Sequence, residues 1–424
     1  MIEIGPMPAG GASAEPAARS RLTERHVLAL GLGVAGFLVA AAAVAVVVVV
    51  LRGGSPWAAI HLALAGAATV AIGAVMPHFA VTLAGTKPRD ARERLVTLAL
   101  LAAGGVAVVL GVTTVGGWLA GAGSVVMLAG LGLVGVQTLS PLRNPLARRH
   151  PVVTLTYGAA LVELAGGVVI GGLAAIGVPA VVEAWTELRP AHAWIGLFGA
   201  VSLTIFATLV YLAPTVLGSR IRPSPWLAIG VAGMLAGPVL TAIGFGMGAR
   251  PIVLGGMALT LAGAVGQLGY VIDAARRRGR FTSEHDWRRV AVGHLLAGPT
   301  WFAAAVLVAL LAIIGGEPLR GWSIGLLAIP MIAGWLIQEL IGSWTHLVPS
   351  VTPGSPDDHA RQRRALAIAS RARLVAHNSG VPLAWIGAAL GLLPLMLAGG
   401  ILLAGSITLA LIGLGRALSP SRTV

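Results

Sequence analysis

The feature that most constrains this chain is a series of apolar runs, each 20 residues or longer, separated by short polar stretches. A bilayer core is roughly 30 Å thick and a helix rises about 1.5 Å per residue, so ~20 apolar residues cross it. The runs are continuous rather than alternating, which excludes a transmembrane β-barrel and leaves bundled helices. Charge agrees: only 10% of residues are Asp, Glu, Lys or Arg, against about 25% in a soluble domain. The expected fold class is therefore all-α, a polytopic membrane protein, and soluble enzyme folds are excluded.

About twelve spans are predicted, near 27–51, 56–84, 95–115, 118–138, 152–177, 191–217, 225–246, 251–273, 291–315, 321–347, 374–397 and 399–415. Residues 1–25, rich in Ala, Gly, Pro and Ser, read as a disordered cytoplasmic tail. Arg19, Arg21 and Arg25 lead into a full-length span, not the short apolar region of a cleavable signal. Residues 26–416 then form a single transmembrane domain, and 417–424 a short C-terminal tail.

Lysine and arginine set the orientation. The N-terminal tail, the even-numbered loops and the C-terminus hold 25 of the 29, and the other face holds only Arg52, Arg189, Arg250 and Arg320. Positive charge stays on the cytoplasmic side, so both termini are expected there. Even-numbered spans then run from outside to inside, across a bacterial cytoplasmic membrane. The net charge of +14 follows from this topology and does not point to nucleic acid.

Spans two, six and ten share landmarks. Gly66, Gly199 and Gly334 are spaced 133 and 135 apart, as are His78, Tyr211 and His346. A polar stretch follows each: Thr86-Lys87-Pro88, Ser219 to Pro223, and Ser350 to Pro353. Two landmarks in one register predict a four-helix unit repeated three times, in arcs of about 26–150, 151–289 and 290–416.

With no cysteine, the chain has no disulfides, thiolate ligands or covalent haem attachment. Metal ligands must come chiefly from ten histidines. His26, His150, His285 and His359 lie in the tail or cytoplasmic loops and read as solvated. The other six divide by depth into an outer pair and an inner quartet. His61 and His192 open spans two and six near the outer face, five and seven residues before the repeat glycines. His78, His294, His346 and His377 lie toward the inner ends of spans two, nine, ten and eleven. A bilayer imidazole is usually functional, and neutral histidine is a common ligand of haem iron and copper. The alternative for each is an interfacial or interhelical hydrogen bond, which is the preferred reading of His294 and His377 taken singly but not of His61 and His192. The outer pair, with a glycine nearby to admit a flat ring, points to a b-type haem or a copper ion. The inner four are candidates for a second haem or copper. His61 and His78 are 17 residues apart, about 25 Å along a helix, a separation that suits two stacked redox centres.

Two acids lie deep in the apolar runs, Glu163 in span five and Glu339 in span ten. Both are candidate proton relays, or neutral acids bonded between helices. Glu339 precedes His346 by seven residues and is expected on a similar helix face, turned to the bundle interior. Trp57, Trp185, Trp194 and Trp322 mark the outer boundary, and Trp194 occupies the repeat position that His61 fills in span two. Pro238, Pro299, Pro330, Pro382 and Pro394 are expected to kink helices.

The stretch His192-Ala193-Trp194-Ile195-Gly196-Leu197-Phe198-Gly199, followed by Tyr211-Leu212-Ala213-Pro214, resembles a helix of the haem-copper oxidase subunit I superfamily. It is closest to NnrS-like membrane haem proteins. It is also similar to the membrane domain of actinobacterial multicopper-oxidase and nitrite-reductase fusions, which share a His-Phe ending like His78-Phe79. The resemblance is architectural over about 27–415 and motif-level in spans two and six only. It implies an outer haem ligand at His61, a partner histidine at His192, and a role in redox, nitrogen-oxide or copper metabolism. Electrons would come from quinol or a separate redox protein, such as a copper nitrite reductase or multicopper oxidase. The superfamily's His-x-x-x-Tyr, His-His and His-x-His patterns do not occur here, and span ten has no ligand near Trp322 to Ala328. Oxygen reduction is therefore not expected. Two other functions stay open: a transporter coupled through Glu163 and Glu339, and a structural membrane subunit.

Overall fold

The computed structural model describes residues 23–143, 151–277, 286–352 and 354–419. The tail before Thr23, His150, His285 and Pro353 lie outside the described residues. The described residues are helical with no strand, and eleven helices are long and apolar enough to cross a membrane.

Twelve rods follow in chain order: α1 Glu24–Arg52, α2 Trp57–Ala84, α3 Ala91–Val115, α4 Gly117–Arg143, α5 Pro151–Ala175 and α6 Trp185–Leu217. Then come α7 Pro225–Gly246, α8 Arg250–Arg276, α9 Asp286–Ile314, α10 Gly325–Val351, α11 Ser370–Leu390 and α12 Leu393–Leu418. All but α11 are among the eleven. That helix carries Arg371, Arg373, His377 and Asn378, which lower its hydropathy. Sequence pattern placed the α11–α12 break at 397–399; the structure places it at Gly391 and Leu392. Gly391 adopts φ +66°, a left-handed turn that suits glycine, and caps α11. Pro394 therefore kinks nothing: it sits in the first turn of α12, where a missing N–H costs little. Pro330 likewise opens a helical segment, whereas Pro238, Pro299 and Pro382 do lie inside helices.

Three helices form the centre. The apolar windows of α2, α6 and α10 are 67%, 83% and 61% buried, and no other exceeds 44%. Around them, Phe37, Leu51, Val162 and Ile401 are each more than 70% exposed. Such outward apolar surface is normal only where lipid replaces water.

Close hairpins brace the outside. In α3–α4 an added Cβ at Gly104 would lie 2.8 Å from the backbone of Gly123 and Met127. In α7–α8 Gly237 abuts Thr260 and Gly256 abuts Thr241; in α11–α12 Gly387 abuts Met396 and Gly399 abuts Ala384. Lipid tails are as apolar as leucine, so helix association here rests on close backbone approach, which small residues permit.

Beside the N-terminus of α1, Arg94 of α3 is 1% exposed and donates to the Glu24 carboxylate of α1 and to the Ala74 carbonyl of α2. Where α8 begins and α9 ends, Arg250 donates to the carbonyls of Ile313 and Glu317, and Arg320 pairs with Glu187 at 2.6 Å.

Candidate functional site

Each central helix changes pitch in its N-terminal part. Segments Leu62–Ala68, Trp194–Val201 and Ile329–Leu336 are π-helical, and each contains one of Gly66, Gly199 and Gly334. A π turn is wider than an α turn, and side-chain hydroxyls occupy two of these. Thr69 donates to Leu64 O at 2.9 Å and Ser202 to Leu197 O at 2.7 Å, both five residues back. In α10 the matching position is Ile337, which has no hydroxyl. π segments are rare in general and frequent at functional sites.

His61 is the last residue before the first π segment, and His192 lies two before the second. The structure brings them together. Their ring centroids are 6.3 Å apart and their planes differ by 6°. His61 Nδ1 is 2.9 Å from the Trp57 carbonyl, and His192 Nδ1 is 2.9 Å from the Gly167 carbonyl on α5. A carbonyl oxygen only accepts, so in each ring Nδ1–H donates and Nε2 keeps its lone pair. Carbonyl orientation of this kind is the usual outer shell of a metal-binding histidine. Trp57 stacks on His61 with centroids 3.9 Å apart, and Trp185 lies 6.3 Å from the His192 ring.

The room for the His192 ring comes from a glycine the sequence reading did not single out. An added Cβ at Gly171 would lie 3.0 Å from His192 Cε1. Gly66 and Gly199 do other work than admitting a flat ring: Gly66 faces Leu38 of α1, and Gly199 faces Glu163 of α5 and Pro238 of α7. Trp194 does not pack on the pair either. It is fully buried, stacks on Phe198 at 4.0 Å, and adjoins Phe245 and Trp322 in an aromatic core.

His78, His294, His346 and His377 occupy three separate settings. His294 and His377 meet edge to face at 5.5 Å. His377 Nε2 donates to Ala333 O at 2.8 Å, and its Nδ1 is 3.2 Å from Ser406 Oγ, so both ring nitrogens are engaged. His294 Nδ1 pairs with Gln338 Oε1 at 2.8 Å. The Gln338 amide donates to Gly334 O and to Asn378 Oδ1, which also accepts from Trp301 Nε1. Ala333 and Gly334 belong to the α10 π segment, whose carbonyls thus serve this network. His78 lies 3.6 Å from the Glu24 carboxylate. His346 stacks on Trp287 at 6.3 Å, and the Arg288 and Arg363 guanidinium groups lie over that indole. The expected inner cluster does not form: among the described residues no three of His, Asp and Glu come together. The cause is topological, since α2 turns His78 toward Glu24 of α1, α10 turns His346 toward Trp287 of α9, and His294 meets His377 directly between α9 and α11.

Glu163 and Glu339 are 5% and 3% exposed, so both face the interior. Glu163 Oε2 has no partner and sits against Gly199. Along α5, Glu163, Gly167 and Gly171 recur every four residues, one stripe that meets α6 at Gly199 and His192. Both Glu339 oxygens are unpartnered, and the carboxyl fits against Gly298 of α9. It lines a cavity together with Leu340 and Ser343, and His346 is not part of that lining.

Comparison of the sequence with family models and with curated proteins finds no match.

Proposed function

We propose that this chain is a b-type haem protein of the bacterial cytoplasmic membrane. Its twelve helices form three four-helix arcs with both termini cytoplasmic, and His61 and His192 hold the haem on the outer side. The reading rests on one observation: two near-parallel imidazoles, 6.3 Å apart, each with Nδ1 tied to a carbonyl. With bonds of about 2 Å on each side, two imidazoles across one metal ion have ring centroids about 6 Å apart.

The donor set favours haem over a bare copper ion. Zinc or copper held by protein alone takes three or four side chains. Among the described residues no third His, Asp or Glu joins the pair. A porphyrin would supply the remaining nitrogen donors, so two histidines would suffice. Bound there, a haem would supply one-electron exchange between ferrous and ferric states. His61 and His192 would hold the iron through Nε2, with Trp57 and Trp185 beside the rings and Gly171 giving His192 its space.

The three arcs are supported by the π segments around Gly66, Gly199 and Gly334, and by the glycine hairpins α3–α4, α7–α8 and α11–α12. The charge asymmetry supports the orientation. The role that fits is electron transfer or nitrogen-oxide and copper-linked redox chemistry, with quinol or a separate redox protein as partner. Of the four remaining span histidines, His377 has no ring nitrogen left for a metal, His294 bonds Gln338 through Nδ1, and His78 lies against Glu24.

The test is a visible spectrum of the full chain purified in detergent. One b-type haem per chain, with reversible reduction, supports the reading; a chain purified from haem-replete cells without haem overturns it.

A further inference from the structure

Side chains from three helices converge on one indole. Trp287, the second residue of α9, begins the apolar span of that helix. The guanidinium carbon of Arg288 lies 4.9 Å from the centre of its ring, and that of Arg363 lies 5.5 Å from it. The His346 ring of α10 stacks on the same indole at 6.3 Å. Arg363 comes from the short helix Pro356–Leu366, which follows α10 and is pinned in place. There His359 Nε2 donates to Thr352 O at 3.1 Å, and Thr352 Oγ1 donates to Gln362 Oε1 at 3.0 Å. Arg361 donates to the Arg416 and Ser419 carbonyls at the end of α12 and pairs with Asp358 at 3.7 Å. Arg361 thus serves the fold. Arg363, two residues on, is exposed, and among the described residues its side chain has no hydrogen bond and no ion pair.

Two guanidinium groups over one indole repel each other, and a cation–π contact at an exposed ring offsets this by only about 0.5–1 kcal/mol. An anion beside both removes the repulsion. A guanidinium has five N–H donors, so even one with another partner keeps donors for a phosphate oxygen, and its planar fork matches phosphate geometry. The level in the fold says where such an anion comes from. Tryptophan at the start of a span marks the depth of the lipid headgroups, where phosphate is the abundant anion. Local charge favours an anionic lipid over a zwitterionic one. Residues 286–289 and 355–373 hold seven arginines against three aspartates, and a basic residue near an anionic membrane surface contributes about 1 kcal/mol.

We propose that Arg288 and Arg363, set over the Trp287 indole, bind the phosphate of an anionic phospholipid headgroup. His346 steadies the indole from α10, and the pinned short helix brings Arg363 to it. A bound lipid there ties α9 to the segment between α10 and α11. The inference is independent of whether His61 and His192 bind haem.

Native mass spectrometry of the full chain, released from micelles doped with phosphatidylglycerol or with phosphatidylcholine at equal concentration, tests this. The wild-type chain is expected to retain phosphatidylglycerol in preference to phosphatidylcholine. Arg363→Gln and Arg288→Gln should each weaken phosphatidylglycerol binding about tenfold, the scale of one hydrogen bond to a charged group, and leave phosphatidylcholine unaffected. Arg364→Gln removes the same charge from the neighbouring exposed position, away from the indole, and should keep the preference. Because each variant is read with both lipids, a folding defect lowers both and is not mistaken for loss of the site; Arg288→Gln carries the test if Arg363→Gln does not fold. Excess inorganic phosphate should not displace the lipid. Displacement by it would assign the site to a soluble phosphate and overturn the lipid reading. No preference in the wild-type chain, or equal losses in Arg363→Gln and Arg364→Gln, would mean general surface charge only and overturn the proposal.

Discussion

The His61 and His192 rings lie 6.3 Å apart with planes 6° from parallel, and each donates Nδ1–H to a backbone carbonyl, Trp57 and Gly167 respectively. The donor on His61 is bonded within its own helix, whereas that on His192 reaches a neighbour. The two rings therefore differ in what holds them, and substitutions around them should differ too.

Gly171→Ala should disturb the site through His192 alone. The new methyl would lie 3.0 Å from His192 Cε1, so the ring must shift by a few tenths of an ångström. The expected outcome is an altered haem absorption spectrum with little loss of fold. Gly166→Ala, on the same helix, meets nothing closer than 4.0 Å and should be silent. Equal spectra for the two variants would contradict this placement.

Trp57→Ala should act through His61. It leaves the carbonyl that accepts from Nδ1 but removes the ring stacked at 3.9 Å. Stacking of this kind contributes about 0.5–1.5 kcal/mol, and lost outer-shell support typically lowers metal affinity about 10–100-fold. Haem retention during dilution into haem-binding apoprotein measures it.

His377→Ala should leave the visible spectrum unchanged and lower thermal stability. It removes the donor to the Ala333 carbonyl and one of the two partners of the Ser406 hydroxyl, and an unsatisfied buried polar group costs about 1–3 kcal/mol. Loss of haem or of another metal in this variant would instead assign the inner pair to a cofactor.

The Glu24 contacts should show in the pH dependence of stability. Burial by itself would raise the Glu24 carboxyl, but the His78 hydrogen bond and the Arg94 guanidinium outweigh it and hold it below the usual carboxylate range. A lowered folded value stabilises above the unfolded value of about 4.3 and loses that contribution as pH falls through the folded value. Glu24→Gln should cost about 2–3 kcal/mol at neutral pH, because it leaves Arg94 buried without its anion. Melting curves should show that deficit constant from pH 7 to about 5 and narrowing below about 4. A deficit that grows with acidification would contradict it.

Much of this architecture is legible in residue order, because lipid imposes long apolar helices and charge asymmetry orients them. Gly66, Gly199 and Gly334 marked the three central helices by spacing alone, yet their local geometry was hidden. A π turn has no composition of its own; only the hydroxyls of Thr69 and Ser202, three residues after a glycine, hint at it. Gly167 and Gly171 were invisible for a different reason. Membrane helices are full of glycine, and what distinguishes these two is a partner on α6. The four inner histidines looked alike because depth follows from position along a span. Which way each turns depends on helix rotation and packing, and that sends His78 to Glu24, His346 to Trp287 and His294 to His377.

The ligation state of the iron tests the central claim most directly. Electron paramagnetic resonance of the oxidised full chain should show a single low-spin ferric haem, as ligation by two imidazoles would give. His61→Ala and His192→Ala should each convert it to high spin or remove it. The double variant should lack haem, and the inner variants His294→Ala and His346→Ala should keep the low-spin signal. A low-spin signal that survives both outer substitutions, or no haem in the wild-type protein, would contradict the account.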